Sequence, residues 1–169
     1  MEFRLRELKI EDAESIAKYA NNYKISRFLT DAFPFPYGIE DARIFITKIA
    51  SDKELTILGI EINGEVAGAI GIHPQSDIHR KNAELGYWLA EPYWGHGIVT
   101  KAIKEIVDIA FKKYTINRIF ARPFSNNPAS QRVLEKAGFT LEGRFSSTLI
   151  KNGEYLDELI YALRKPHQL

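Results

Sequence analysis

The chain has 169 residues, 45% hydrophobic and 27% charged, with a net charge of +1 and no cysteine. That length suits one domain, read here as residues 1–169, and the near-neutral charge gives no electrostatic case for nucleic acid. The lack of cysteine excludes disulfides, thiolate zinc sites and a cysteine nucleophile, and no apolar run nears the ~20 residues of a membrane span.

The first stretch, MEFRLRELKIED, has no signal-peptide core, so a cytoplasmic protein with no membrane partner is expected. Residues 2–8 alternate Phe3, Leu5 and Leu8 with charges, which predicts a strand. Asp12 then precedes Ile16, Ala17 and Ala20 at helical spacing. The segment DAFPFPYG, 31–38, holds two prolines and three aromatics and cannot continue a helix. It suits either a lid over a substrate or an apolar seal over the core. A second helix is expected from Ile39 to about Ile49.

Asn63-Gly64 sits between two β-prone runs, LTILGIEI and EVAGAIGI, the signature of a tight hairpin. NAELGYWLA, 82–90, reads as another strand. From Gly97 to Lys113 the pairs Ala102/Ile103, Ile106/Val107 and Ala110/Phe111 recur every fourth residue, opposite a face of lysines and acids, which predicts an amphipathic helix. RIFARP is a short strand ending at Pro123. In NPASQRVLEKAGF, Asn127 is the expected N-cap, Pro128 the first helical residue, and Gly138 the residue just past the end. The tail closes as a hairpin around Asn152-Gly153, a surface that would suit a homodimer. The resulting order, βααβββαβαββ, implies an α+β layered fold, a mixed sheet with helices on its faces.

The stretch EPYWGHGIVTKA, 91–102, carries the chemistry. A strand, a loop with Gly95 and Gly97, and then a helix form a geometry that can hold phosphate. The first helical turn leaves amides unpaired, and glycines let a ligand come close. Taken alone, the pair equally suits a plain turn needing positive φ. No Walker loop and no G-x-G-x-x-G fingerprint is present. The histidines show no metal-ligand spacing, so no metal is expected.

Taken together, AELGYWLAEPYWGHGIVTKA and NNPASQRVLEKAGF closely resemble the GNAT superfamily of N-acetyltransferases. Within it, the chain is similar to the branch of RimJ/RimL ribosomal-protein N-terminal acetyltransferases, a likeness that FPFPYGIEDARIFI shares. The resemblance implies a mostly antiparallel sheet of about seven strands with about four helices. It also implies acetyl-CoA bound where the strand ending near Ala90 splays from RIFARP. The backbone of Trp88, Leu89 and Ala90 would pair with the pantetheine arm. The amides of Gly95, His96, Gly97, Ile98, Val99 and Thr100 would hold the pyrophosphate. Against the superfamily pattern Gln/Arg-x-x-Gly-x-Gly/Ala, Trp94 stands at the first position, as is usual in this branch, and the bulkier Val99 at the last.

Acetyl transfer without a cysteine relay requires a free amine to attack the thioester directly. Deprotonating an α-amine of pKa near 8 costs only ~1.4 kcal/mol at pH 7, against ~4.6 kcal/mol for a lysine. A carboxylate acting through water is therefore base enough. Glu84, two residues before Gly86 on the strand leading to the loop, is the candidate, and an ordinary solvent-facing role is the alternative. His73 is a second candidate base. The tyrosine that the superfamily places seven residues after the asparagine is here Leu134. The resemblance instead gives the role of proton donor to the departing thiolate to Ser130, which could also be a capping-region residue. Asn127 would add a CoA contact to its cap. The acceptor expected is a protein N-terminal α-amine. A polyamine, amino acid or aminoglycoside acceptor and a CoA-binding module without turnover are the alternatives, since fold does not fix substrate.

Overall fold

The computed structural model describes residues 1–54 and 56–165. Its elements run β1 (Arg4–Arg6), α1 (Ala13–Ala20), α2 (Tyr23–Ser26), α3 (Ile39–Ser51), β2 (Thr56–Ile62), β3 (Glu65–Pro74), β4 (Asn82–Leu89), α4 (Ile98–Lys113), β5 (Arg118–Ala121), α5 (Pro128–Lys136), β6 (Thr140–Lys151) and β7 (Glu154–Arg164). The strands form one seven-stranded sheet in the order β1-β2-β3-β4-β5-β7-β6. β1 with β2, β5 with β7 and β6 with β7 pair antiparallel, whereas β4 with β5 is parallel. The parallel pair follows from its connection, because α4 carries the chain back across the sheet before β5 begins.

Turn chemistry fixes both tight hairpins. Asn63 and Gly64 have φ of 53° and 85°, and Asn152 and Gly153 have 51° and 81°. Positive φ at both central residues is what a type I′ turn needs, and Asn-Gly supplies it at least cost. The β3–β4 pair is antiparallel too. The Gln75 amide donates to the Asn82 carbonyl at 2.9 Å and the Ala90 amide to the Ala67 carbonyl at 2.8 Å, so numbers fall along one strand as they rise along the other.

The expected element order holds with one addition, the single-turn helix α2. Asn22 caps it, its side chain accepting from the Lys24 amide at 2.9 Å. Four residues are too few to show a helical period, which is why the pattern of apolar residues does not reveal it. The first strand is shorter than expected, pairing with β2 only over Arg4–Arg6, and a 3-10 turn at Ile10–Asp12 leads into α1.

The chain falls into two compact units, Met1–Gly71 with Tyr87–Ile98, and Ile72–Gly86 with the chain from Val99 on. The first has its own core, in which Ile16 and Ala20 of α1, Ala42 and Ile46 of α3, Val66 and Ala69 of β3, and Trp88 of β4 are buried together. Each large aliphatic side chain there contributes about 1.5–3 kcal/mol by burial. Phe33 and Tyr37 join this core. The Phe33 ring lies 4.9 Å from Tyr37 and 5.9 Å from Trp88, and burial pushes the Tyr37 phenol up to about 12. That part of the 31–38 segment is an apolar seal, while Phe35 remains exposed, its ring tilted against that of Tyr23 at 5.6 Å. In the second unit, Ala102, Ile103, Ile106 and Ala110 of α4, Ile119 of β5 and Leu134 of α5 are fully buried.

Candidate active site

The glycine loop sits at the entrance of α4. Gly95 and Gly97 have φ of 78° and 72°, and a Cβ at either would meet nothing within 4 Å. Positive φ makes glycine the favoured residue at both positions. Open space at both positions leaves room for the diphosphate that the sequence motif implies. His96 is exposed between them, Ile98 is buried, and Val99 and Thr100 are half-buried in the first turn of the helix.

The loop is held from behind within the same unit. Glu91 accepts from Asn22 Nδ2 at 2.8 Å and from Lys24 Nζ, and these contacts, the lysine first, hold its carboxyl below the usual range. The Tyr93 hydroxyl meets that of Tyr19 at 3.4 Å, and Tyr19 donates to Glu65 at 2.6 Å. Trp94 Nε1 donates to the Leu89 carbonyl at 2.7 Å, which folds the loop back on the end of β4. The Ala90 amide is committed to β3, so its N–H is spent before any ligand arrives. A side chain at Gly68 would come within 2.5 Å of the Trp88 carbonyl. Glycine there lets β3 and the end of β4 approach closely.

In the second unit, β4 pairs with β5 only from Asn82 to Glu84, opposite Arg118 to Phe120. Glu84, the last paired residue, is gripped at both oxygens by Arg122, with Nε at 2.8 Å and Nη2 at 2.9 Å. The third guanidinium nitrogen reaches Glu158 of β7 at 3.4 Å. Arg122 is held more firmly protonated than usual, first by its hydrogen bond to Glu84. A bidentate arginine takes one lone pair from each carboxylate oxygen and leaves others for water or an amine. Glu84 is thus neither a free base nor merely a solvated acid. Arg122 and Glu158 were not legible beforehand, because an ion pair between strands leaves no fixed spacing in the sequence.

Gly86 leaves room for a side chain, its nearest neighbour being His73 Nε2 at 3.9 Å. His73 lies near the end of β3, and its carbonyl accepts from Gln75 Nε2 at 3.2 Å. Asn127 caps α5, accepting from the Ser130 amide at 3.2 Å, and Ser130 is half-buried on the first turn. Among the described residues no group of three or more His, Asp or Glu could hold a metal ion.

Residues 2–140 match the acetyltransferase (GNAT) domain family, and the chain belongs to it. It is 35% identical to the putative ribosomal N-acetyltransferase YdaF of Bacillus subtilis, covering 95% of this chain and 90% of that protein. It is 25% identical to the spermidine N(1)-acetyltransferase of Escherichia coli K12, over 90% and 80%. Among solved structures, the microcin C7 self-immunity acetyltransferase MccE, in complex with acetyl-CoA and AMP, superposes with a TM-score of 0.83 at 28% identity, covering 97% of this chain and 93% of that one. The protein is therefore an N-acetyltransferase of the GNAT family.

Proposed function

We propose that the protein transfers the acetyl group of acetyl-CoA directly to the α-amine of a protein N-terminus. The open, left-handed pair Gly95 and Gly97 at the head of α4 in a chain of this family carries the acetyl-CoA part of this reading, and the likeness to a putative ribosomal N-acetyltransferase supports the acceptor. Both units contribute to one N-acetyltransferase domain, since the family match draws residues from each. Acetyl-CoA supplies an activated thioester carbonyl.

The amides of Gly95–Thr100 bind its pyrophosphate, and the backbone of Trp88, Leu89 and Ala90 lines the pantetheine arm, Ala90 without its N–H. Glu84 accepts the proton of the incoming ammonium through water, using the lone pairs that Arg122 leaves. A carboxylate acting through water suits a low-pKa α-amine better than a lysine. The Ser130 hydroxyl donates to the departing sulfur, and Asn127 fixes the helix turn that carries it.

The kinship to a spermidine acetyltransferase supports a second reading, a polyamine acceptor. Mass spectrometry of acetyl transfer across N-terminal peptides and small amines separates the two. Acetyl on peptide α-nitrogens is expected, and transfer to spermidine alone would overturn the primary reading.

A further inference from the structure

The cluster Glu84–Arg122–Glu158 brings three charges from three places on the sheet, β4, the residue after β5, and β7. Two carboxylates share one guanidinium, so the group carries one net negative charge. The neighbouring carboxylate of Asp157 is balanced separately. Asp157 accepts from Arg144 Nε at 2.8 Å and from the Ser147 amide at 2.9 Å, which leaves it no excess charge to lend. Arg122 is half-exposed and Glu84 and Glu158 are less so, which leaves the cluster open to an acceptor yet partly shielded.

We propose that Arg122 sets the charge class of the acceptor, acting as a built-in counter-cation that fits the site to a single ammonium and against a polycation. The inference rests on the reading that Glu84 serves the acceptor amine. With Arg122 in place, an entering monocation meets one unbalanced negative charge. A polyamine would bring at least two positive charges to a cluster already holding its own, and the guanidinium would repel the second. Discrimination of this kind works by an element placed against the wrong partner rather than by extra contacts to the right one. Removing the guanidinium leaves two carboxylates without a cation, a pair matched to a dication.

The test compares the wild type with Arg122→Gln and Arg122→Lys. One acceptor is a peptide with a single α-amine and uncharged side chains, and the other is spermidine. Spermidine binding to the protein without acetyl-CoA is measured by calorimetry. Arg122→Gln should raise kcat/KM for spermidine relative to the peptide by roughly fivefold or more, chiefly through KM, and tighten spermidine binding by a similar factor. Arg122→Lys keeps the charge without the fork and should stay close to the wild-type ratio. A merely structural arginine would lower both substrates together.

An unchanged ratio in Arg122→Gln, with unchanged spermidine binding, overturns the inference. If that variant fails to fold, Glu158→Gln replaces it. That change removes one carboxylate beside an intact Glu84–Arg122 pair, so spermidine binding should weaken, and unchanged binding overturns the inference. A wild type that transfers acetyl to neither acceptor removes the functional reading and this inference together. Transfer to the peptide with an unmoved ratio removes only the inference.

Discussion

In the proposed mechanism Glu84 both pairs with an arginine and takes a proton from an amine. The two demands are compatible because the arginine fork leaves half of the lone pairs unused. Glu84→Gln keeps the shape and loses the negative charge, so kcat should fall roughly 10²-fold while the acetyl-CoA dissociation constant changes little. Unchanged turnover would take the proton from Glu84 and turn attention to His73. Gly97 allows a cleaner separation of fold from binding. Gly97→Ala and Gly64→Ala both place a side chain at positive φ with empty space around it, so each should cost about 1–2 kcal/mol of stability. Only Gly97→Ala should also weaken CoA binding, by roughly tenfold, the loss of one charge-assisted amide contact. Equal affinities in the two variants would remove the phosphate cradle.

Elements differ in how plainly residues announce them. The two Asn-Gly hairpins and α5, with Asn127, Pro128 and Gly138 in their expected places, were legible because local backbone chemistry alone dictates them. Helix α2 was not, since it is only one turn long. The need for glycine at position 68 was invisible as well, because the atom it avoids, the Trp88 carbonyl, is distant in the chain. The glycine loop is legible in its residues, whereas the Arg122 grip on Glu84 depends on the register of β4 against β5.

The anchor between β1 and the turn before α1 combines a local pair with a long-range one. Arg6 donates to Asp12 at 2.7 and 2.8 Å and also pairs with Glu61 of β2. The Arg6 hydrogen bond, opposed by burial, holds the Asp12 carboxyl below its usual value. A depressed carboxyl stabilises the fold above its unfolded pKa, and that stabilisation is lost as the pH falls through the folded one. Asp12→Asn should cost about 1.5–3 kcal/mol at pH 7. The gap in melting temperature between wild type and variant should then shrink below about pH 4. A gap of constant size down to pH 3 would mean the ion pair contributes nothing.

For the molecule as a whole, family membership fixes the reaction and leaves the acceptor open, and the proposed account assigns it to a few charges at the end of a three-residue strand pair. No helix among the described residues is long and apolar enough to cross a membrane. Relatives with ribosomal and polyamine names share this scaffold, so the fold cannot choose between them. In the proposed account that choice falls to Glu84, Arg122 and Glu158. The most direct measurement is tandem mass spectrometry of products after incubation with acetyl-CoA, N-terminal peptides and spermidine in one mixture. The account predicts acetyl groups on peptide α-nitrogens, with spermidine and lysine side chains largely unmodified. Acetylated spermidine beside untouched peptides would contradict it.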